Sequence, residues 1–352
     1  MVERITIKGY KSFKEQTVCL GRMNLMIGSN GAGKSNFLSL FELLNNAYEQ
    51  CLGIYVPTLG GVDKFLFQGR KMTEEIEIKL FMGKNSYELK LHEADGKLLV
   101  ADERLGYYND TISISAYTPE AAIKNYNGLT RGDYIKNYLS NIRKFHFHDT
   151  GRRSPFASEC HVVNDAYTLY SNGQNIAAVL YKMQREQPVL YHRIVKIVQS
   201  VAPYFSDFYF NVSPADTLRL QWRDRYSEMI YGPNDLSDGT VRFIALTTLF
   251  MQPVLPSVII IDEPELGLHP VAIQKLAGLM SFASTKECQI IAATQSPELI
   301  GNFRPEEIIT VDQKEGQTIV NHLSTAELGH WLDDYTLGDL WKQNIMKGGQ
   351  PA

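Results

Sequence analysis

One run near the N-terminus, Gly28-Ser29-Asn30-Gly31-Ala32-Gly33-Lys34-Ser35, restricts what this chain can fold into more than any other feature. It fits G-x-x-x-x-G-K-[ST] at every fixed position. It lies between a short apolar run, Leu25-Met26-Ile27, and a segment whose Phe37, Leu38, Leu40, Phe41 and Leu44 recur on one helical face. A strand that turns through glycines into a helix makes a phosphate cradle. Glycine lets successive backbone N–H groups point inward, and the helix N-terminus adds partial positive charge. Lys34 brings a point charge toward the β- and γ-phosphates, and the Ser35 hydroxyl is suited to ligate Mg²⁺.

Further along, the apolar run Val258-Ile259-Ile260-Ile261 ends in Asp262-Glu263, the pattern of a Walker B strand. Asp262 would hold Mg²⁺ through water, and Glu263, on the other face of the extended chain, would polarise an attacking water. ATP and Mg²⁺ are thus the expected cofactors, and ATP hydrolysis by direct attack of water the expected reaction. Between the two motifs, Asn234-Asp235-Leu236-Ser237-Asp238-Gly239-Thr240 precedes an apolar helix containing Phe243, Ile244, Leu246 and Leu249. Ser237 and Gly239 at a helix start make an anion-binding cap, although most such strings are plain N-caps. Beside the two nucleotide motifs, this one resembles an ABC signature. In ABC-type heads that signature reaches the γ-phosphate only across a dimer, which implies two heads around two nucleotides.

The chain has 352 residues, 44% of them apolar, enough for a sizeable core and about two domains. No segment approaches the roughly 20 apolar residues that span a bilayer, and Met1-Val2-Glu3-Arg4-Ile5-Thr6-Ile7 reads as a strand rather than a leader. No membrane partner is expected. Cys19, Cys51, Cys160 and Cys288 form no CxxC pair and read as small apolar residues of a reducing, cytoplasmic setting. Strand-like segments fall at Glu75 to Phe81, Ser86 to Leu91 and Ile112 to Ala116. Helical pattern dominates Pro119 to Pro203, most clearly at Ile176 to Met183 and Tyr191 to Val201. Val258 to Ile261 and Gln289-Ile290-Ile291-Ala292-Ala293 read as strands of a parallel, doubly covered sheet. Glu307 to Val311 and Thr318 to Val320 read as a closing pair of edge strands, and Leu337 to Lys347 as a final helix. Sustained heptads are absent from the middle, which Pro119, Gly128, Gly151, Pro155, Pro188 and Pro203 interrupt.

Several strings resemble the SMC, RecF and OLD group of ABC-type ATPases. They are Ile7-Lys8-Gly9-Tyr10-Lys11-Ser12-Phe13 followed by Gly28 to Asn36, then Leu236-Ser237-Asp238-Gly239-Thr240-Val241-Arg242-Phe243, Ile261-Asp262-Glu263-Pro264-Glu265-Leu266-Gly267-Leu268-His269-Pro270, and Thr294-Gln295-Ser296-Pro297. Together they are similar to stand-alone bacterial ATPases, RecF-like and of the AAA-21 type. The less specific strings Asp149-Thr150, Ser171 to Leu180 and Leu337-Gly338-Asp339-Leu340-Trp341 extend the likeness nearly end to end. The resemblance implies an α/β P-loop NTPase of ABC/SMC-head type with an inserted helical lobe and no coiled coil. Residues 1–118 would form the Walker A half of the head, 119–203 the lobe, and 204–352 the half with signature, Walker B and switch. Pro264 to His269 departs from the pattern of transporter ATPases.

The resemblance implies nucleotide contacts from Gly28, Ser29, Asn30, Gly31, Ala32, Gly33, Lys34, Ser35 and Asn36, and from Ser237 and Gly239 of the opposite head. The family's switch position holds Gln295, which can hydrogen-bond a γ-phosphate oxygen but carries no charge, so turnover should be slow. Gln295 packing at a strand end is the plainer alternative. Gln68 is a candidate sensor of γ-phosphate and Mg²⁺, or an ordinary loop residue. Lys11 stands where SMC-like heads place a basic residue near nucleotide, or is a surface lysine. His146 and His148 share a face if Phe145-His146-Phe147-His148-Asp149 is extended. No third ligand accompanies them, which favours a structural strand over a metal site.

From Glu120 to Ser200, eleven basic residues face six acids, with Tyr126, Tyr134 and Tyr138 among them, although net charge is −4. Such a lobe could track a phosphate backbone, or be a solvated helical face. Two functions are carried forward, the first suited by the resemblance and the basic lobe, the second by the acidic net charge. One is a homodimeric ATPase of DNA repair or anti-phage defence, with DNA as a candidate partner and a separately encoded effector of TOPRIM-like kind. The other is an ATP-gated scaffold for a protein partner that never touches nucleic acid. About 30 residues follow the last expected strand, too few for a nuclease domain within the chain.

Overall fold

The computed structural model describes residues 1–128 and 130–346. They fall into two compact units: residues 1–143 with 256–260 and those from 287 onward, and residues 144–255 with 261–286. In the first unit, β1 (Arg4–Tyr10) and β2 (Phe13–Cys19) form a hairpin, and β3 (Met23–Ile27) is buried at every residue. The helix α1 (Lys34–Tyr48) follows the glycine-rich loop and buries Phe37, Leu38, Leu40, Phe41 and Leu44, the face read from its spacing; α2 (Leu52–Thr58) follows.

Next come β4 (Glu75–Met82), β5 (Asn85–Ala94), β6 (Lys97–Tyr107) and β7 (Asp110–Ser115), joining the hairpin in a six-stranded sheet of order β2-β1-β4-β5-β6-β7. Strict alternation on β4 sends Ile76, Ile78, Leu80 and Met82 inward. The outer face carries cross-strand pairs, Lys79–Glu88 at 3.3 Å and Lys90–Glu77 at 3.7 Å. Then α3 (Thr130–Ser140) packs on α1 and leads into β8 (Ile142–Phe145).

The second unit contains β9 (Cys160–His161), α4 (Ile176–Glu186), α5 (Pro188–Gln199), β10 (Phe205–Tyr209), β11 (Thr217–Leu218), β12 (Gln221–Asp224) and β13 (Ile230–Tyr231). Its centre is α6 (Asp238–Met251), buried without a break from Thr240 to Met251, as expected of a helix apolar on all sides. β14 (Val258–Asp262) passes from the first unit into the second, and α7 (Pro270–Ser284) packs on α6.

The chain returns to the first unit with β15 (Gln289–Thr294), α8 (Pro297–Ile300), β16 (Ile308–Lys314), β17 (Gln317–His322), α9 (Thr325–Leu328), α10 (Trp331–Asp334) and α11 (Leu337–Lys342). A second six-stranded sheet has the order β17-β16-β3-β15-β14-β8, with β3 parallel to both β15 and β16. β15 is buried at all its residues, the doubly covered strand its composition predicts.

Three expectations change. Of the expected closing pair, β17 alone is an edge strand, because β16 lies between it and β3. Residues 119–143 of the expected lobe belong to the first unit, where α3 packs against α1, and the boundary falls at 143/144. The final helix ends at Lys342, and Lys347 lies outside the described residues. Among the described residues no helix exceeds the 15 of α1 and α7, and none is long and apolar enough to cross a membrane.

Candidate nucleotide site

β3 ends at Ile27 and the loop Gly28 to Gly33 delivers the chain into α1. Gly33 has φ 114°, and a Cβ there would lie 2.1 Å from Thr318 Oγ1, so no other residue fits without moving β17. Thr318 Oγ1 lies 2.8 Å from Ala32 O and 2.7 Å from Ser12 Oγ, and Asn36 Nδ2 donates to the same Ser12 hydroxyl at 2.8 Å. The loop is therefore braced by the β1–β2 turn and by β17. Lys34, 7% exposed, donates to Gly28 O at 2.7 Å and Ser29 O at 3.0 Å, which curls its amine back over the loop. Ser35 stands exposed in the first turn of α1, with a hard oxygen of the kind Mg²⁺ takes.

β15 runs parallel to β3 and delivers Gln295 to the loop: its Nε2 donates to Asn30 Oδ1 at 2.8 Å. Lys11 and Gln68 flank an antiparallel bridge between Tyr10 and Leu66, in which Lys11 N donates to Phe65 O at 2.7 Å and Phe67 N to Gly9 O at 2.9 Å; this register sets Lys11 opposite Phe65 and Gln68 opposite Lys8 and does not bring the two together. Both adopt positive φ, 48° and 56°. The Lys11 ammonium reaches Ser39 Oγ at 2.8 Å, on α1, and the exposed Gln68 amide faces the β16–β17 turn at Gly316.

In the second unit, Asp262 and Glu263 are both half-buried, and Glu263 has φ 42°, a left-handed conformation that is costly for a residue with a side chain. Leu266 N donates to Glu263 O at 3.2 Å and Leu268 N to Glu265 O at 2.9 Å, so 263–268 is a tight double turn before His269 caps α7. Ser237 caps α6, its Oγ accepting from Thr240 N at 3.2 Å, and remains exposed. A Cβ on Gly239 would meet Gly267 O at 2.4 Å, so the start of α6 rests directly on the turn after Glu263.

Arg242, 7% exposed, ties these parts together. Its Nε donates to Phe147 O at 3.0 Å, Nη2 to His148 O at 3.2 Å, and Nη1 to Leu266 O. Burial holds its pKa below the ordinary arginine value, against the opposing charge of Asp238. The His148 ring is pushed below the usual histidine range by partial burial, then by the Arg242 cation, while Asp262 and Glu263 pull the other way. His146 lies beyond the end of β8, and its N–H donates to Ser171 O at 3.0 Å. Among the described residues no three His, Cys, Asp or Glu side chains cluster as a metal site. Thr318 and Arg242 escaped the sequence reading: their carbonyl partners lie up to 286 and 95 residues away, and no local pattern encodes such pairings.

A glycine-rich loop between a buried parallel strand and a helix, a strand-end glutamine bonded to it, and a capped helix seated on the turn after a Walker B strand define an ABC-type nucleotide-binding head. Residues 1–151 match the family described as "AAA ATPase domain", and residues 128–301 the one described as "AAA domain, putative AbiEii toxin, Type IV TA system", of the AAA-21 type. No curated protein sequence matches the chain. Among solved structures, it is similar to an SMC head bound to the C-winged helix domain of ScpA, at 16% identity and TM-score 0.62, covering 93% of this chain and 99% of that one. It is also similar to an SMC head domain with an extended coiled coil bound to the C-terminal domain of ScpA, derived from Pyrococcus furiosus, at 16% identity and TM-score 0.56, covering 95% and 98%. The chain is thus similar to RecF/SMC-like ATPases of the ABC type, carries matches to two AAA ATPase domain families, and has an SMC-head fold with no coiled coil among its described residues.

Proposed function

We propose that this chain hydrolyses ATP as an ATP-dependent homodimer with composite sites, and that the cycle drives a separately encoded effector in DNA repair or anti-phage defence. In this reading Gly28 to Asn36 hold the phosphates, and Ser35 and Asp262 hold Mg²⁺, whose charge neutralises that of the transferred phosphoryl group. Glu263 polarises the attacking water, and Gln295 senses the γ-phosphate. The observation that carries hydrolysis is the Gln295–Asn30 hydrogen bond, which ties a neutral strand-end sensor to the phosphate loop. Because the sensor carries no charge, turnover is slow. Dimerisation is supported by Ser237, exposed at the start of α6 and free to meet a second copy's nucleotide. The SMC heads of similar fold are bound to domains of ScpA, which supports a protein partner here; a TOPRIM-like effector is the kind that the resemblance read in the sequence implies.

The scaffold reading, with no nucleic acid, gains from one observation. Several basic residues of 119–203 already have local partners: Lys124 with Glu49, Arg131 with Asp110 at 3.0 Å, and Lys182 with Glu186 at 3.9 Å. Glu263→Gln tests the catalytic reading. It should bind ATP as the wild type does, lose nearly all turnover, and elute as a dimer when ATP is present. Wild-type turnover in that variant would remove Glu263 from its role.

A further inference from the structure

The alternating segment Phe145-His146-Phe147-His148-Asp149 has no part in the function proposed above, yet its surroundings are those of the Walker B acids. β8 and β14 are neighbours in the sheet, and Val258 N donates to Asn141 O at 3.3 Å, so the two strands start side by side. β8 ends at Phe145 and β14 at Asp262. Beyond those ends one buried guanidinium gathers both chains: Arg242 bonds the carbonyls of Phe147 and His148 on one side and of Leu266 on the other. The His148 backbone is thereby fixed three residues after β8, while its ring stays exposed. The charges acting on that ring are Arg242, Asp262, His146 and Glu263.

We propose that His148 is a catalytic residue of ATP hydrolysis, hydrogen-bonding the water that Glu263 polarises, and that Arg242 is the residue that positions it. The inference rests on the Glu263 reading. One carboxylate can accept one proton of a water molecule but does not fix the direction of its lone pair; a neutral imidazole offers both a donor and an acceptor to do so. In the reaction the water oxygen bonds the γ-phosphorus as the bond to the bridging oxygen breaks. ADP leaves, Glu263 takes the water's proton, and His148 neither gains nor loses one. Partial burial and the Arg242 cation lower the pKa of the ring, which favours the neutral form that this part needs. Arg242 acts only through the backbone it holds, and its three acceptors are carbonyls of the two loops that carry His148 and follow Glu263.

The test uses the full chain with Mg·ATP and the variants His148→Ala, His148→Gln, Arg242→Lys and Glu263→Gln, read by kcat, KM, the Kd of a fluorescent ATP analogue, and thermal melting. His148→Ala should lower kcat by about a hundredfold with KM, nucleotide Kd and melting temperature unchanged. His148→Gln, which keeps a neutral hydrogen-bonding group, should recover part of the rate. Arg242→Lys, able to serve only some of the carbonyls, should lower kcat with nucleotide Kd unchanged. If His148→Ala turns over within twofold of wild type while Glu263→Gln is inactive, the inference fails and the Glu263 reading stands. If Glu263→Gln is fully active, that reading fails first. A melting temperature lowered by His148→Ala, with no recovery in His148→Gln, would make His148 structural and overturn the inference.

Discussion

Glu263, like Lys11 and Gln68, has a backbone held away from ordinary geometry. Its φ of 42° costs on the order of 1–3 kcal/mol, and the turn that imposes it is closed by Leu266 and pinned by Arg242. The signature residues follow the opposite logic. Ser237 and Gly239 sit relaxed at a helix start, and a helix terminus stabilises an anion only at short range. In the proposed composite site, Lys34→Ala and Ser237→Arg are each inactive alone, the first for want of phosphate charge, the second because its side chain fills the space for the γ-phosphate. Ser237→Arg still binds ATP through its own loop. Mixing the two should restore at most one working site per mixed dimer, seen as turnover appearing on mixing. Normal hydrolysis by Ser237→Arg alone would reduce the segment to a helix cap.

At the scale of elements, β6 carries a buried carboxyl that the sequence does not announce. Glu103 is fully buried and accepts from Ala122 N at 2.6 Å, Ile123 N at 3.2 Å and Tyr87 Oη at 2.8 Å, binding the chain after β7 to the sheet. Burial pushes its pKa up against those three hydrogen bonds, so in the pH window between the unfolded and folded values the folded protein binds more proton than the unfolded chain. The stability this group contributes is full below its unfolded pKa and is lost as pH rises through the folded value. Glu103→Gln should flatten that decline, giving a melting temperature that changes less between acid and neutral pH. A slope equal to the wild type's would mean that Glu103 does not titrate on folding. Two other elements show how far pattern reading reaches. α1 buries the face its spacing predicts, whereas β8 stops at Phe145 and leaves His146 and His148 past the strand that alternation suggested.

At the scale of the whole molecule, the proposed ATP cycle has two candidate partners, DNA and a protein. The eleven basic residues between Glu120 and Ser200 divide between two units, and several are already paired. Arg152 and Arg153 are exposed, and Asn234, in the loop before Ser237, donates to Arg152 O at 3.5 Å. If the chain works on DNA, replacing Arg143, Lys144, Arg152 and Arg153 with alanine should weaken binding and reduce its salt slope, with basal ATPase activity intact. Titrating DNA over a salt series, with and without ATP, measures both. An unchanged affinity and slope would move the reading to the protein scaffold.

The sequence by itself determined the nucleotide chemistry. A glycine loop, a Walker B strand and a capped apolar helix are each local: their geometry follows from neighbours a few residues apart, so their residue types reveal them. Gly33 is the clearest case, required by its own φ of 114°. Tertiary structure alone decided which side chains support those motifs. Gln295 meets Asn30 because parallel pairing puts the ends of β15 and β3 side by side. Thr318 braces the loop from β17, and Arg242 joins two loops through carbonyls. Carbonyl acceptors are the same at every residue, so a side chain that works by binding them leaves no mark in the sequence until the fold brings them within 3 Å.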